Sequence, residues 1–112
     1  MVARDLLARL GDRWSVQVAS EAVGGPIRFT ELRRKIQAAS PISARVLAHT
    51  LKQLERDGLL LRTAYPTVPP RVEYSVSQLG EQFLTFANRF ISWTVEHESD
   101  FAAARKVFEE RR

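Results

Sequence analysis

Apolar residues recur along this chain in two periods, and the switch between them locates most of its elements. Val2, Leu6, Leu7 and Leu10 stand at helical spacing, and Gly11 ends that run. A second helix is expected from Asp12 to Val23, with Asp12 as N-cap and Trp14, Val18 and Ala22 recurring every fourth residue. Gly24, Gly25 and Pro26 stop it. Thr30 is expected to cap a short third helix, on which Phe29, Leu32 and Ile36 face one way and Arg33, Arg34 and Lys35 the other. The stretch AASPIS, residues 38–43, then supplies a turn and the next cap, at Ser40 or Ser43.

The fourth helix, 43–57, is the most informative. Leu47, Leu51 and Leu54 share one face at steps of four and three, which buries them. Asp57-Gly58 closes the helix, since glycine suits the left-handed position after its end. The opposite face carries Arg45, His49, Lys52 and Arg56, flanked by Ala48 and Gln53. A merely solvated face is the plainer explanation of such a stripe. Like charges four apart on a helix, however, repel by roughly 0.2–0.5 kcal/mol per pair. Three permanent cations without a carboxylate are better explained if phosphates supply the missing charge.

After Gly58 the period shortens to two. In RVEYSV, residues 71–76, Val72, Tyr74 and Val76 alternate with Arg71, Glu73 and Ser75, the pattern of a half-buried strand. LLLRTAY, residues 59–65, is its expected partner, and the five residues PTVPP join the two into a hairpin. Proline is excluded from paired strand interiors. In a protruding tip it lowers conformational entropy, so holding that tip against a partner costs less.

Composition narrows the chemistry. The 112 residues, 45% hydrophobic and 27% charged, read as one globular domain, 1–112. The net charge of +4 favours an anionic partner. With no cysteine and only His49 and His97, the chain offers no disulfide, no thiolate nucleophile and no plausible metal set. No metal, cofactor or catalytic constellation is expected, which argues against an enzyme. There is no signal-like N-terminus and no apolar run near the roughly 18 residues that span a bilayer. A cytoplasmic, nucleoid-associated protein without membrane contact is the expectation.

Three helices, a basic helix and a hairpin straight after it form the order of a winged helix-turn-helix: mainly α with a small β-hairpin wing, an α+β chain. Helix 43–57 would enter the major groove of double-stranded DNA, and the wing, 62–74, would rest on adjacent backbone or minor groove. Ser43, Ala44, Arg45, Ala48 and His49 would lie nearest base edges, with Lys52 and Arg56 nearer phosphates. Thr30, Arg33 and Arg34 on the third helix, and Arg62 and Arg71 on the wing, complete the expected DNA-contacting set. Arginine against a guanine edge is the commonest specific contact, so Arg45 is the strongest candidate for sequence readout. Duplex RNA hides its major groove from a helix and is disfavoured. The competing function is a winged-helix protein-interaction module that binds no DNA.

The motifs LGDRWSV (10–16), GPIRFTELRRKI (25–36), ISARVLAHTLKQLERDGLLLR (42–62) and YPTVPPRVEYSVSQLG (65–80) make the chain similar to the HxlR family of bacterial winged-helix transcriptional regulators, within the MarR-like superfamily. The resemblance covers about residues 4–95 and implies a homodimer acting on operators. Two departures stand out. The segment QAASPIS, 37–43, is a few residues longer than the family's turn, with Ser43-Ala44 where Ser-Pro is common. The thiol switch of several relatives is excluded, because no cysteine is present.

In the C-terminal third, Leu79, Phe83, Phe86, Phe90, Trp93, His97, Phe101, Ala104 and Phe108 recur at steps of three and four. They would form one stripe if the helix is continuous, although EHESD, 96–100, marks a candidate break. So many aromatics exceed what so small a core can cover, and an exposed apolar stripe marks an interface. The expected dimerisation helices are therefore residues 1–10 and about 78–110, carrying Leu6, Leu7, Leu10, Phe83, Phe86, Phe90, Trp93, Phe101 and Phe108. Two-fold closure places two recognition helices about 34 Å apart, which implies a palindromic operator. A small-molecule effector stays open, for no residue pattern names one.

Overall fold

Nine elements follow one another in the computed structural model, which describes residues 2–111. They are α1 (Val2–Gly11), α2 (Ser15–Glu21), β1 (Ile27–Arg28), α3 (Phe29–Gln37), α4 (Ala44–Arg56), β2 (Leu60–Tyr65), β3 (Arg71–Val76), α5 (Gln78–Glu96) and α6 (Glu98–Glu110). Met1, the first residue of the expected dimerisation segment, lies outside the described residues.

The core forms where the apolar faces of α2, α3 and α4 meet the start of β2. Val18, Leu32, Ile36, Leu47, Leu51, Leu54, Leu59 and Leu60 are all but sealed from solvent. Each such burial contributes about 1.5–3 kcal/mol against conformational entropy. Ala22, Ile27 and Ile42 complete the cluster, and Trp14, Phe29, Tyr74, Val76 and Phe83 pack at its edge. The helix-turn-helix and wing thus share one core.

Several boundaries differ from the sequence expectation, each for a local reason. Helix α2 starts at Ser15 and not at Asp12. Asp12 still serves as an acceptor: its carboxylate takes the backbone N–H of Trp14 at 2.9 Å and of Ser15 at 2.7 Å. Residues 12–14 bend around that carboxylate before the helix begins. Thr30 does not cap α3. The helix begins at Phe29, directly after the extended Arg28 (φ −85°, ψ 155°), and Thr30 falls within its first turn. Strand β1 was not expected. It is two residues long and pairs antiparallel with β3, Ile27 opposite Tyr74 and Arg28 opposite Glu73.

That pairing makes β3 the central strand of a three-stranded sheet, order β1-β3-β2. Consequently β3 shows no buried-exposed alternation, and all six of its residues are half-buried. The β2–β3 hairpin is otherwise as expected, with Leu60 opposite Val76 and Tyr65 opposite Arg71.

Ser43 settles the start of α4. Its extended backbone and its hydroxyl, which accepts the Val46 N–H at 3.1 Å, make it the N-cap. Gly58, at φ +76°, ends the helix in the left-handed conformation expected of it. The next corner is tightly knotted. Ser77 caps α5 by accepting the Gly80 N–H at 2.9 Å, and its hydroxyl donates to the Gly58 carbonyl at 2.6 Å. Its own N–H donates to Leu59 O at 3.1 Å. Gly80 has no alternative there, because a Cβ would collide with the Leu59 carbonyl oxygen.

The terminal helices are attached differently. Neither α1 nor α6 contains a buried residue. Helix α1 rests Leu6 on the core edge and carries one polar tie to the body among the described residues. Arg9 Nε donates to Asp57 Oδ2 at 2.9 Å, and both side chains are nearly covered, at 11% and 12% exposure. The C-terminal stripe is not one straight helix, and its break falls inside EHESD, 96–100, the candidate break in the sequence. It breaks at His97, which ends α5 and precedes α6. An aromatic stack carries the stripe round the bend: the Trp93 ring lies 5.7 Å from His97 and 5.3 Å, edge-on, from Phe101. His97 Nδ1 is 2.9 Å from Asp100 Oδ2. The molecule extends 64 × 28 × 24 Å.

Candidate nucleic-acid interface

Helix α4 presents its leucines inwards, so its opposite face is left to solvent. Ser43, Ala44, Arg45, Ala48, His49, Lys52 and Arg56 are all exposed there. Among the described residues, no ion pair engages Arg45, Lys52 or Arg56. The three cations are therefore free to meet an anion. Val46 is also exposed, and sequence reading passed over it. It stands in the first turn of α4, where an apolar side chain can contact a thymine methyl. Its signal was negative: Val46 does not fall on the Leu47–Leu51–Leu54 face.

The turn ahead of α4 is held by two side chains from α3. Arg33 Nε donates to the Ile42 carbonyl at 3.1 Å, and the Gln37 amide donates to the same oxygen at 2.9 Å. Ile42 itself is buried. Arg33, expected as a DNA contact, is thus half-buried and spends its Nε–H on positioning α4. Gln37 shares that role and was not foreseen. Arg34 stays exposed, 3.8 Å from Glu31, and Thr30 is exposed beside it. Such an exposed pair is worth little in water and yields readily to a phosphate.

Wing and helix converge on one concavity. A depression of about 390 Å³ is lined by Ala48, Lys52 and Glu55 of α4, by Arg62 of β2, and by Phe29 and Tyr74. Lys52 and Arg62, from different elements, therefore flank the same hollow. Glu55 borders it too, so the hollow is less uniformly cationic than the stripe.

At the wing, Arg71 is not a free cation at the loop exit. Its guanidinium lies 4.2 Å over the Tyr65 ring, and its Nε is 3.8 Å from the Glu73 carboxylate. The Nε is buried and makes no hydrogen bond. Such stacking contributes about 0.5–1 kcal/mol at accessible sites, so Arg71 braces the hairpin where it enters the tip, Tyr65 opposite Arg71, as well as offering charge. The tip is internally braced. The Thr67 N–H donates to Tyr65 O at 2.8 Å, and the Thr67 hydroxyl donates to the Pro69 carbonyl at 2.8 Å. Val68, at 99% exposure, caps the finger with bare apolar surface.

The residues expected at a dimer interface divide in two. Leu6, Leu10 and Phe83 are half-buried within the chain, and Leu7, Phe86, Phe90, Trp93, Phe101 and Phe108 are exposed. Between α1 and α5 an apolar cavity of about 290 Å³, lined by Leu6, Leu7, Leu10, Leu79, Phe83 and Phe86 among others, opens to solvent. Among the described residues there is no cluster of side chains able to hold a metal ion, and no helix is long and apolar enough to cross a membrane.

Comparison with known proteins agrees with this geometry. The model of the HxlR-like helix-turn-helix family matches residues 9–100. The uncharacterised HTH-type transcriptional regulator YtfH of Escherichia coli (strain K12) is 46% identical over 80 residues, covering 71% of this chain and 61% of that protein. An uncharacterised HTH-type transcriptional regulator of Methanothermobacter thermautotrophicus is 36% identical over 84 residues, covering 75% and 62%. The match thus spans little more than three fifths of the length of these curated relatives. Among solved structures, the reduced form of the transcriptional regulator YodB from B. subtilis superposes with a TM-score of 0.69 at 28% identity, over 79% of this chain and 83% of that one. The transcriptional regulator ytcD superposes with a TM-score of 0.73 at 27% identity, over 88% and 98%.

Proposed function

Because this chain belongs to the HxlR-like helix-turn-helix family, whose relatives are transcriptional regulators and not enzymes, we propose that it binds palindromic DNA operators as a homodimer. In this reading α4 enters the major groove and the β2–β3 wing rests on adjacent backbone or minor groove. The observation that carries it is the exposed α4 face, where Arg45, Lys52 and Arg56 stand without an ion-pair partner among the described residues. Arg45, in the first turn, reads a base edge, as do Ser43, Ala44, Ala48 and His49. Lys52, Arg56 and Arg62 neutralise phosphates, with Thr30, Arg34 and Arg71 at the margins.

The dimer is supported by what the protomer leaves uncovered. Phe86 is 66% exposed, Phe108 65% and Leu7 68%. Apolar surface of that extent calls for a partner, and a second copy closed by a two-fold axis is the simplest one. With no cysteine in the chain, control by thiol oxidation has no place in this function. Any effector must act without one.

The reading is tested by measuring affinity for duplex DNA against salt. Each phosphate neutralised contributes about −0.9 to the slope of log K against log salt, so a slope steeper than roughly −3 is expected. Affinity unaffected by salt, or no binding at low ionic strength, would favour the protein-interaction module instead.

A further inference from the structure

The pair Arg9–Asp57 joins two parts of the molecule that the proposed function gives different work. Arg9 lies in the last turn of α1. Asp57 is the C-cap of α4, 48 residues away in sequence. A carboxylate is unfavourable at a helix C-terminus, where the backbone dipole is already negative. Asp57 therefore needs a cation, and Arg9 supplies one at 2.9 Å in a nearly covered position. Among the described residues, and apart from the bond of the adjoining Asp12 N–H to Ala8 O, no other hydrogen bond or ion pair joins α1 to the body. Otherwise α1 is held by apolar packing, which is non-directional and tolerates sliding. The ion pair supplies the direction.

We propose that Arg9 is a positioning residue that fixes the angle of α1 against the end of the recognition helix, and thereby sets the spacing between operator half-sites. This rests on the dimeric reading above. In a two-fold dimer built through α1 and α5, the distance and rotation between the two α4 helices depend on how α1 sits on its own protomer. Each base pair added between half-sites changes both their separation and their rotation about the duplex. A rigid α1–α4 junction therefore accepts one spacing, and a loosened junction accepts several. The chemistry is specific to a directed donor: the Arg9 Nε–H points at Asp57 Oδ2 from a planar, rigid group, whereas an ammonium acts as a point charge.

The experiment measures binding of the full chain to duplexes carrying two operator half-sites whose separation is varied one base pair at a time, and to a single half-site. The natural chain should prefer one separation by at least about tenfold, a coupling of ordinary size for two linked elements. Arg9→Gln and Asp57→Asn should flatten that preference to within about threefold, with affinity for a single half-site unchanged. The exchange Arg9→Asp with Asp57→Arg should restore part of it. If either neutral variant fails to fold, Arg9→Lys, which keeps the charge, gives the answer by a broadened spacing profile. Folded variants that keep the natural profile overturn the inference and leave the dimeric reading standing. A natural chain that shows no preference for paired half-sites overturns both.

Discussion

The segment from α2 to β3 and the two terminal helices are made of similar residues and end in opposite situations. In the first, leucines at steps of three and four find one another across a turn, and Leu47, Leu51 and Leu54 vanish from solvent. In α6, Phe101 and Phe108 stand at comparable spacing and remain on the surface, in a helix that buries nothing. Periodicity states that a helix has an apolar face. What covers that face depends on the supply of facing elements, and the chain runs out of them after α5.

The largest effect expected from breaking this contrast is in the core. Leu51→Ala should cost about 2–5 kcal/mol, lowering the denaturation midpoint at every protein concentration. Phe108→Ala should leave the dilute protomer's stability unchanged and matter only at concentrations where copies associate; denaturation at two concentrations separates the two cases. Next in size is the proposed dimer interface. Replacing Phe86 and Phe90 by glutamine removes two contacts of about 1.5 kcal/mol or more each, which should yield monomers in sedimentation. A persistent dimer would show that these rings lie off the interface.

Smaller effects sharpen the difference between reading and bracing. Arg45→Ala should weaken binding to the selected operator by about 1–3 kcal/mol and relax preference at one base position. An equal loss on random duplex would remove its readout role. Smallest is Arg71→Ala, expected to cost under about 1 kcal/mol on specific and random duplexes alike, because part of its work is to stack on Tyr65 inside the wing. A selective loss would instead show that the wing reads sequence or groove shape.

Much of the candidate site was legible because it depends on local rules. Leucine spacing defined α4, Gly58 its end, and the prolines the wing tip. The misses came from contacts between distant residues. Strand β1 has two residues, too few for any period, and exists because Tyr74 and Glu73 lie opposite it. That added strand also erased the alternation expected of β3. Arg33 and Arg71 are expected as DNA contacts, and nothing local in the sequence shows that each also has a partner within the chain. Their actual partners, the Ile42 carbonyl and the Tyr65 ring, are set by the turn and the hairpin. The corner at His97 lies in EHESD, the candidate break, but the stack of Trp93 with His97 and Phe101 that carries the stripe round it depends on the bend itself.

The knot of Ser77, Gly58, Leu59 and Gly80 has a mechanical consequence. It clamps the foot of α5 to the corner where α4 ends, and α5 runs on for 19 residues, a rod of about 28 Å at 1.5 Å per residue. With its foot held, a lean of about 5° swings the far tip by roughly 2.5 Å on a rod of that length. Leverage works in both directions. A small displacement forced on the tip arrives at the foot as a tilt, with little slack in the joint to absorb it.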